Sequence, residues 1–376
     1  ILISSNITMK NKTKQKVLLG LSGGVDSAVA TIILQKQGYE VIGAFMRCFS
    51  DEKNKLTGEC NWIEDKKEAQ KIATKLKIKF IELNYEKEYT SQVIKPMFKA
   101  YAQGKTPNPD ADCNTIIKFP FLSKEAKKLG CEYIATGHYA KKIQKDKEFY
   151  LKVPKDKKKD QTYFLYGIKQ QDLKRTLFPI GGYTKSEVRK IAKSNHLDNW
   201  NRQSTRGLCF IGNINVKQFL KQKIKNKPGK ILSPEGSVVG THQGIQFFTI
   251  RERIGNNENI QISDEYRNKT KSKLYISKKD KKRNTIIVTP ENHKLLFKNK
   301  FQIKKVIFTS NTPKFPLKDI KIRIRHLGQL IPAQITKKGN NLIVILKKPT
   351  QGIAEGQSAV IYTKQGIMLG GGEITY

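Results

Sequence analysis

The segment Gly20-Leu-Ser-Gly-Gly-Val-Asp-Ser27 constrains the fold most, because a glycine-rich loop here separates an apolar strand from a helix. Val17–Gly20 is predicted to be a buried strand, the helix is predicted from about Asp26 to Gln37, and a second apolar strand follows at Val41–Phe45. Small residues let backbone N–H groups approach anionic oxygens, and the N-terminus of a helix adds partial positive charge. The pattern therefore predicts a β-loop-α-β unit that binds phosphate groups.

Strands and helices continue to alternate beyond this unit. Phe80–Leu83 and Tyr133–Thr136 are predicted as the third and fourth strands, with a helix near Lys118–Leu129 before the fourth. Alternation of this kind indicates an α/β fold with a doubly wound parallel sheet. Such sheets bind ligands at the carboxyl ends of their strands, so we expect Ser22–Ser27 and Gly137-His138 to face one pocket.

The remaining chain has other patterns, which predict further domains. The charged segment Lys152–Asp160 is interpreted as a solvated loop, with a grip on RNA as the alternative. A short helix near Val216–Lys223 and Gly-rich short strands after it predict a small central domain. Apolar runs with a period of two residues then predict a six-stranded or similar β-barrel; they are Gln302–Phe308, Ile320–Arg325, Asn341–Leu346, Ser358–Tyr362 and Ile367–Leu369.

The 376 residues suit several compact domains, since single domains usually run to about 100–200 residues. We expect a disordered N-terminal extension at residues 1–14, a catalytic α/β domain at 15–213, a central RNA-binding domain at 214–297 and a C-terminal β-barrel at 298–376. The chain begins with Ile1, and residues 1–8 before Met9 are interpreted as upstream or processed sequence.

The charge of the chain favours a polyanionic partner. Lys and Arg total 72 against 32 for Asp and Glu, a formal net charge of +40, which attracts nucleic acid through counterion release. A compositional bias of the sequence is the alternative explanation for part of this excess of positive charge. No apolar run approaches the roughly 20 residues of a membrane helix, so no membrane partner is expected.

The five cysteines predict reduced thiols rather than a disulfide scaffold or a zinc site, because they contain no CxxC pair; they are Cys48, Cys60, Cys113, Cys131 and Cys209. Cytoplasmic localisation is the expectation, or an organelle if the source is eukaryotic. For Cys48, Cys60 and Cys131 we expect a structural role.

The glycine-rich loop lacks the lysine of the Walker A motif, so it does not match the usual design for cleavage of a γ-phosphate. A simple glycine turn into a helix would not require Ser22, Asp26 and Ser27. The loop resembles the PP-loop signature of the ATP pyrophosphatase superfamily, whose members break the bond between the α and β phosphates of ATP. This resemblance implies that ATP is bound by Gly20, Leu21, Ser22, Gly23, Gly24, Val25, Asp26 and Ser27. It also implies that Asp26 helps to hold Mg²⁺, a cation that favours carboxylate oxygen.

Further motifs occur in the same order as in one family of that superfamily. They are Thr106-Pro-Asn-Pro-Asp-Ala-Asp-Cys-Asn114, Ile117-Lys-Phe119, Ala135-Thr-Gly-His-Tyr139, Lys159-Asp-Gln-Thr-Tyr-Phe-Leu165 and Gly207-Leu-Cys-Phe-Ile-Gly212. From about residue 15 to its C-terminal end, the chain resembles the tRNA-specific 2-thiouridylases. The resemblance implies adenylation of the C2 oxygen of the wobble uridine, followed by its replacement with sulfur.

The same resemblance assigns roles at the reaction centre. Cys209 matches the persulfide carrier and Cys113 the nucleophile, and the two would form a transient disulfide. Asp110 matches a general acid or base at the uracil ring. Met46 and Gly137 match positions that contact the adenine or ribose of ATP, although a core methionine and a turn glycine are the plainer interpretations.

For RNA, the resemblance implies contacts from several loops and from the barrel. The residues concerned are Asn108, Pro109 and Asp110 at the target base, His138 beside the pocket, Lys159, Asp160 and Gln161, and Arg323, Ile324, Arg325 and Gln357 on the barrel. The expected partners are tRNAs with Glu, Gln and Lys acceptors and a persulfide sulfur donor. We expect a monomer. His138 as a packing histidine is the alternative to an RNA contact.

Two departures from the family pattern affect these expectations. Ile250-Arg-Glu-Arg-Ile-Gly255 replaces a common Gly-Gln-Arg-Lys-Gly stretch, and Thr115-Ile116 replaces the usual Lys-Glu after Asn114.

Two other functions remain open from the sequence. One is a PP-loop ligase of the argininosuccinate synthetase type, which would not need the two cysteines. The other is a homologue that binds tRNA without catalysis.

Overall fold

The computed structural model describes residues 14–50, 61–203, 209–211, 215–255 and 259–376. Residues 1–13 of the expected extension, Cys60, and Gly207, Leu208 and Gly212 of the last motif lie outside the described residues.

A five-stranded parallel sheet organises the N-terminal part of the chain, in the strand order β3-β2-β1-β4-β7. The strands of this part are β1 (Lys16–Gly20), β2 (Glu40–Arg47), β3 (Lys79–Asn84), β4 (Tyr133–Thr136), β5 (Lys141–Lys145), β6 (Glu148–Lys152) and β7 (Thr176–Leu177). Its helices are α1 (Val25–Lys36), α2 (Asn61–Lys75), α3 (Glu86–Tyr89), α4 (Lys95–Ala102), α5 (Pro109–Asp112), α6 (Phe119–Lys128), α7 (Gln170–Arg175) and α8 (Lys185–Ser194).

Strand β1 is buried on both faces, because helices cover the sheet on either side. Leu18 packs on the side of α3, α4 and α6, whereas Val17 and Leu19 pack on the side of α1, α2 and α8. The prediction of a doubly wound parallel sheet is therefore confirmed. The helix predicted near Lys118–Leu129 is α6, and a π-helical turn at Cys113–Lys118 leads into it.

A six-stranded sheet forms the middle of the chain, in the order β10-β12-β13-β8-β9-β11. Its strands are β8 (Gly229–Leu232), β9 (Val238–His242), β10 (Arg253–Ile254), β11 (Ile260–Ile262), β12 (Leu274–Asp280) and β13 (Thr285–Pro290), and its helices are α9 (Val216–Lys221) and α10 (Asp264–Thr270). The prediction of a small central domain with short strands is confirmed.

A closed antiparallel barrel of six strands ends the chain, as predicted. Its strands are β14 (Phe297–Phe308), β15 (Leu317–Arg323), β16 (Ile331–Lys338), β17 (Asn341–Gln351), β18 (Ser358–Thr363) and β19 (Ile367–Thr375). The barrel closes because β14 pairs with both β17 and β19. Its interior is filled by branched apolar side chains such as Ile303, Ile335 and Val344. Among the described residues, no helix has the length and apolar character that a membrane span requires.

The hairpin of β5 and β6 joins the barrel to the catalytic domain, which the sequence did not predict. Leu151 and Lys152 of β6 pair with Met368 and Ile367 of β19, so one sheet runs through both domains. The solvated-loop interpretation of Lys152–Asp160 is wrong at both ends, because Lys152 belongs to β6 and Asp160 lies in the interior. Asp160 is fully buried, and its carboxylate lies 2.6 Å from the guanidinium of Arg323. It also accepts hydrogen bonds from the backbone N–H and hydroxyl of Thr162.

We predict that Arg323→Met lowers the free energy of unfolding by about 3 kcal/mol, because it leaves a buried carboxylate without its counter-charge. Urea denaturation followed by circular dichroism measures this loss. The double variant Asp160→Asn/Arg323→Met removes both charges and is expected to recover most of the stability. An equal loss in the single and double variants would contradict this interpretation of the ion pair.

Candidate active site

The loop after β1 has a tight conformation that leads directly into helix α1. Helix α1 begins after Gly24, which has no side chain to occupy the first turn. Gly23 has a φ of +76°, and a Cβ atom there would lie 2.6 Å from the carbonyl oxygen of Asp65, so only glycine fits. The Ser27 hydroxyl donates to the Gly24 carbonyl at 3.0 Å and accepts from the Ser22 N–H at 3.3 Å. These contacts set the loop conformation before any ligand binds.

Asp26 has two partners that the sequence analysis did not identify. Lys185 donates to its Oδ1 atom at 2.6 Å, and the Tyr139 hydroxyl donates to the same oxygen at 2.9 Å. Lys185 is buried, and burial lowers the pKa of its ammonium while Asp26 opposes that shift. Its place at the start of α8 is set by a capping box between Thr184 and Glu187. The sequence Thr184-x-x-Glu187 is typical of a capping box, but the sequence does not indicate that this box lies near the glycine-rich loop.

The loops after β1 and β4 lie against each other, as predicted for parallel strands. A Cβ atom at Gly137 would lie 2.7 Å from the backbone nitrogen of Ser27 and 2.8 Å from the carbonyl carbon of Asp26. Met46 lies near the end of β2 and is buried among the residues on the α3 to α6 side of the sheet. Its contact with ATP stays a prediction.

Cys113 and Cys209 meet although 96 residues separate them: their sulfur atoms lie 3.5 Å apart. Cys113 is fully buried at the start of the π-helical turn, one residue after α5. The backbone of Cys209 is fixed from two sides, because its N–H donates to Asp110 Oδ1 at 2.7 Å and its carbonyl accepts from the Tyr89 hydroxyl at 2.6 Å. Lys118 brings its Nζ atom within 3.4 Å of the Cys209 sulfur.

The two thiols have opposite protonation preferences. The pKa of Cys209 is lowered to about 7, first because the Cys113 thiol donates a hydrogen bond to it and then because of the nearby positive charge of Lys118. Burial raises the pKa of Cys113, and the charge on Cys209 raises it further. Of the two thiols, Cys209 is therefore the one that ionises more readily, whereas Cys113 keeps its proton. The thiolate is the nucleophilic form of cysteine.

Asp110 acts here as a positioning group for Cys209. Burial raises the pKa of its carboxyl, whereas the Cys209 N–H and Lys118 lower it. Its predicted role as a general acid or base at the uracil ring stays a prediction.

His138 lies beside the thiol pair, with its Nδ1 atom 2.9 Å from the Thr136 hydroxyl. Burial and the charge of Lys118 keep the pKa of His138 well below its usual range, so its imidazole is neutral.

Eight of the residues assigned to RNA contacts fall into two groups, one buried and one at least partly exposed. Pro109, Asp160, Arg323 and Ile324 are buried, and the ion pair of Asp160 with Arg323 joins the catalytic domain to the barrel. Lys159, Gln161 and Gln357 are half-buried, and Arg325 is exposed. An RNA contact at all these positions stays a prediction. The side chains of the first group lie in the protein interior, where they contact other protein residues.

The loop before Cys113 is fastened to the barrel. The Asn108 side chain caps α5 by accepting from the Ala111 N–H and donates to the Ser358 hydroxyl at 3.0 Å. The Gln357 side chain donates to the Pro107 carbonyl at 3.4 Å and accepts from the Tyr163 hydroxyl at 3.3 Å. The predicted target-base loop therefore takes its position from two domains.

Comparison with known proteins agrees with this architecture. The family model for the tRNA methyl transferase HUP domain matches residues 15–213, the tRNA methyl transferase PRC-barrel domain matches 217–290, and the Aminomethyltransferase beta-barrel domain matches 298–374. The tRNA-specific 2-thiouridylase MnmA of Blochmanniella floridana is 41% identical, with 96% of each chain covered. The protein of the same name from Lactobacillus helveticus is 34% identical over 97% of this chain and 96% of its own.

The chain belongs to the tRNA-specific 2-thiouridylase family. The family is one of ATP-using enzymes built on a HUP domain. Among solved structures, NMN synthetase from Francisella tularensis is similar over 52% of this chain and 68% of its own, with 16% identity and a TM-score of 0.33. A likeness of that size carries no argument about function.

We predict that Gly137→Ala weakens the binding of a non-hydrolysable ATP analogue by about tenfold or more, because the added methyl group displaces the backbone at Asp26 and Ser27. Calorimetric titration measures the change. Gly182→Ala is the matched control, since a Cβ atom there meets nothing within 4 Å. Unchanged affinity in the Gly137 variant would contradict the prediction that the loop containing Asp26 and Ser27 binds ATP.

Proposed function

We propose that this chain is an ATP-dependent tRNA 2-thiouridylase that replaces the C2 oxygen of the wobble uridine with sulfur. The observation that carries the proposal is the pair of sulfur atoms 3.5 Å apart, one favouring the thiolate and the other the thiol. The names of the relatives support the choice of substrate.

A continuous set of contacts connects the thiol pair with the phosphate-binding loop. Lys118 is next to Cys209, and the following residue, Phe119, packs its ring 5.9 Å from the ring of His138. His138 follows Gly137, which lies against Ser27 of the loop. Two half-reactions on one substrate need this proximity, because the activated uridine must meet sulfur before water reaches it.

In the first half-reaction, the C2 oxygen of uracil forms a bond with the α phosphorus of ATP and pyrophosphate leaves. The loop N–H groups and the N-terminus of α1 bind phosphate oxygens. Mg²⁺ would neutralise charge on the departing pyrophosphate. Lys185 and Tyr139 both donate to Asp26 Oδ1, so Asp26 would hold such an ion through its other carboxylate oxygen. Phosphate oxygens of ATP would supply further ligands.

In the second half-reaction, the Cys209 thiolate takes the terminal sulfur of a donor persulfide, and the donor departs as a thiolate. Cys113, once deprotonated, attacks the inner sulfur of the Cys209 persulfide, which forms the Cys113–Cys209 disulfide and expels hydrosulfide. Hydrosulfide attacks the C2 carbon, and AMP leaves with the former oxygen. A dithiol reductant then returns two electrons to the disulfide.

The thiol pair also separates this function from the alternatives. A ligase of the argininosuccinate synthetase type needs neither the close contact of Cys113 with Cys209 nor the nearby Lys118. An adaptor that only binds tRNA does not need a thiol with a lowered pKa. The formal charge of +40 supports tRNA as the partner, with Glu, Gln and Lys acceptors as the proposed set. The sulfur source is proposed to be a protein persulfide.

The decisive experiment is mass spectrometry of nucleosides from tRNA incubated with the full chain, ATP, Mg²⁺ and a persulfide donor. We expect 2-thiouridine with the wild-type protein. Cys209→Ser is expected to abolish 2-thiouridine while ATP-dependent release of pyrophosphate continues, because only the sulfur step is lost. Cys131→Ser is the control, since Cys131 is buried outside the thiol pair. Bound tRNA without any 2-thiouridine would favour the adaptor, and thiolation by Cys209→Ser would refute the carrier assignment.

We predict that sulfur loading of Cys209 accelerates with rising pH and levels off above a midpoint near pH 7, because the loading step consumes the thiolate and the pKa is lowered to about 7. The rate of persulfide formation on the Cys209 peptide, measured by mass spectrometry with a small persulfide donor, tests this. A midpoint at the pH of an ordinary thiol would contradict it.

A further inference from the structure

Lys118 occupies an unusual place for a lysine. It is the last residue of the π-helical turn that begins with Cys113, so one short segment carries both a reactive thiol and a cation. Its side chain turns inward, with Nζ 3.4 Å from the Cys209 sulfur and 5.1 Å from the centre of the Phe210 ring. Within the described part of the chain, no carboxylate forms an ion pair with it.

Phe210 gives the ammonium group a defined position. The face of an aromatic ring attracts a cation, and the ring follows Cys209 directly in the chain. The ring in turn packs edge to face against Tyr89, whose hydroxyl binds the Cys209 carbonyl. Movement of Lys118 away from the sulfur would therefore cost both the sulfur contact and the aromatic contact.

The groups that face the Cys209 sulfur differ in charge. Cys113 donates a hydrogen bond to it, while Asp110, Tyr89 and Cys48 are acidic groups whose negative forms oppose a second negative charge. Lys118 is the cation of this group. Since burial also disfavours the thiolate, the charge of Lys118 adds to the Cys113 hydrogen bond in stabilising a sulfur anion at this position.

We propose that Lys118 is a catalytic residue of the sulfur-transfer step, whose ammonium group binds the Cys209 sulfur as an anion during attack on the donor persulfide. In that step the Cys209 sulfur forms a bond with the terminal sulfur of the donor, the donor's own S–S bond breaks, and its electron pair leaves with the donor thiolate. Lys118 transfers no proton in it. This role rests on the function proposed above.

The test is the rate at which iodoacetamide alkylates Cys209, measured against pH on the full chain and read from the Cys209 peptide by mass spectrometry. In Lys118→Met we expect the midpoint of the profile to rise by about one pH unit or more, because the stabilising charge is gone. Lys118→Arg retains the charge and is expected to keep most of the wild-type midpoint. Lys124→Met is the matched control, because Lys124 lies in the following helix α6 and its side chain is exposed.

An unchanged midpoint in a folded Lys118→Met protein would overturn the proposal. Thermal unfolding and binding of the ATP analogue establish that each variant is folded. If the uncharged variant does not fold, Lys118→Arg decides: a midpoint at the ordinary thiol value would overturn the proposal, whereas a retained low midpoint supports it. The assay uses no tRNA, ATP or sulfur donor. A shifted midpoint together with no 2-thiouridine from the wild-type protein would therefore refute the proposed function alone.

Discussion

The hydrogen bond from the Cys209 backbone to the Asp110 carboxylate is the interaction on which the reaction centre depends. Cys209 is held at its backbone N–H by Asp110 and at its carbonyl by the Tyr89 hydroxyl. Asp110 belongs to α5, which Asn108 caps and Pro109 begins. Because α5 continues into the turn that carries Cys113 and Lys118, one rigid segment aligns the carboxylate, the thiol and the cation with Cys209.

The electrostatics of the pair follow from this alignment. Two equivalent buried thiols would both resist ionisation, because burial disfavours a thiolate. The hydrogen bond from Cys113 and the charge of Lys118 break that equivalence, so negative charge resides on Cys209. In the proposed reaction, this difference would distinguish the cysteine that accepts sulfur from the cysteine that later releases it.

The sequence was most informative where local physical rules act. The loop from Gly20 to Ser27, the first four strands and the barrel were predictable, because apolar periodicity and glycine positions determine them locally. The partners of Asp26 were not predictable: Tyr139 and Lys185 lie 113 and 159 residues further along the chain. Asp160 looked solvated because its neighbours are lysines, and only the barrel's Arg323 explains its burial.

The roles of the two cysteines are implied by family resemblance and stay a proposal, whereas their proximity is an observation. Their contact at 3.5 Å requires the whole α/β domain, so no local pattern contains it. The same holds for Lys118, which the sequence placed only near the start of a predicted helix.

The sheet shared by β6 and β19 gives the catalytic domain and the barrel a common backbone. Hydrogen bonds across such a pairing resist shear, so the barrel cannot turn freely about a flexible linker as an appended RNA-binding module would. The distance from the barrel surface to the thiol pair is then a fixed length of the molecule. An RNA held by the barrel would present its target base only if the span between the two sites matched that length.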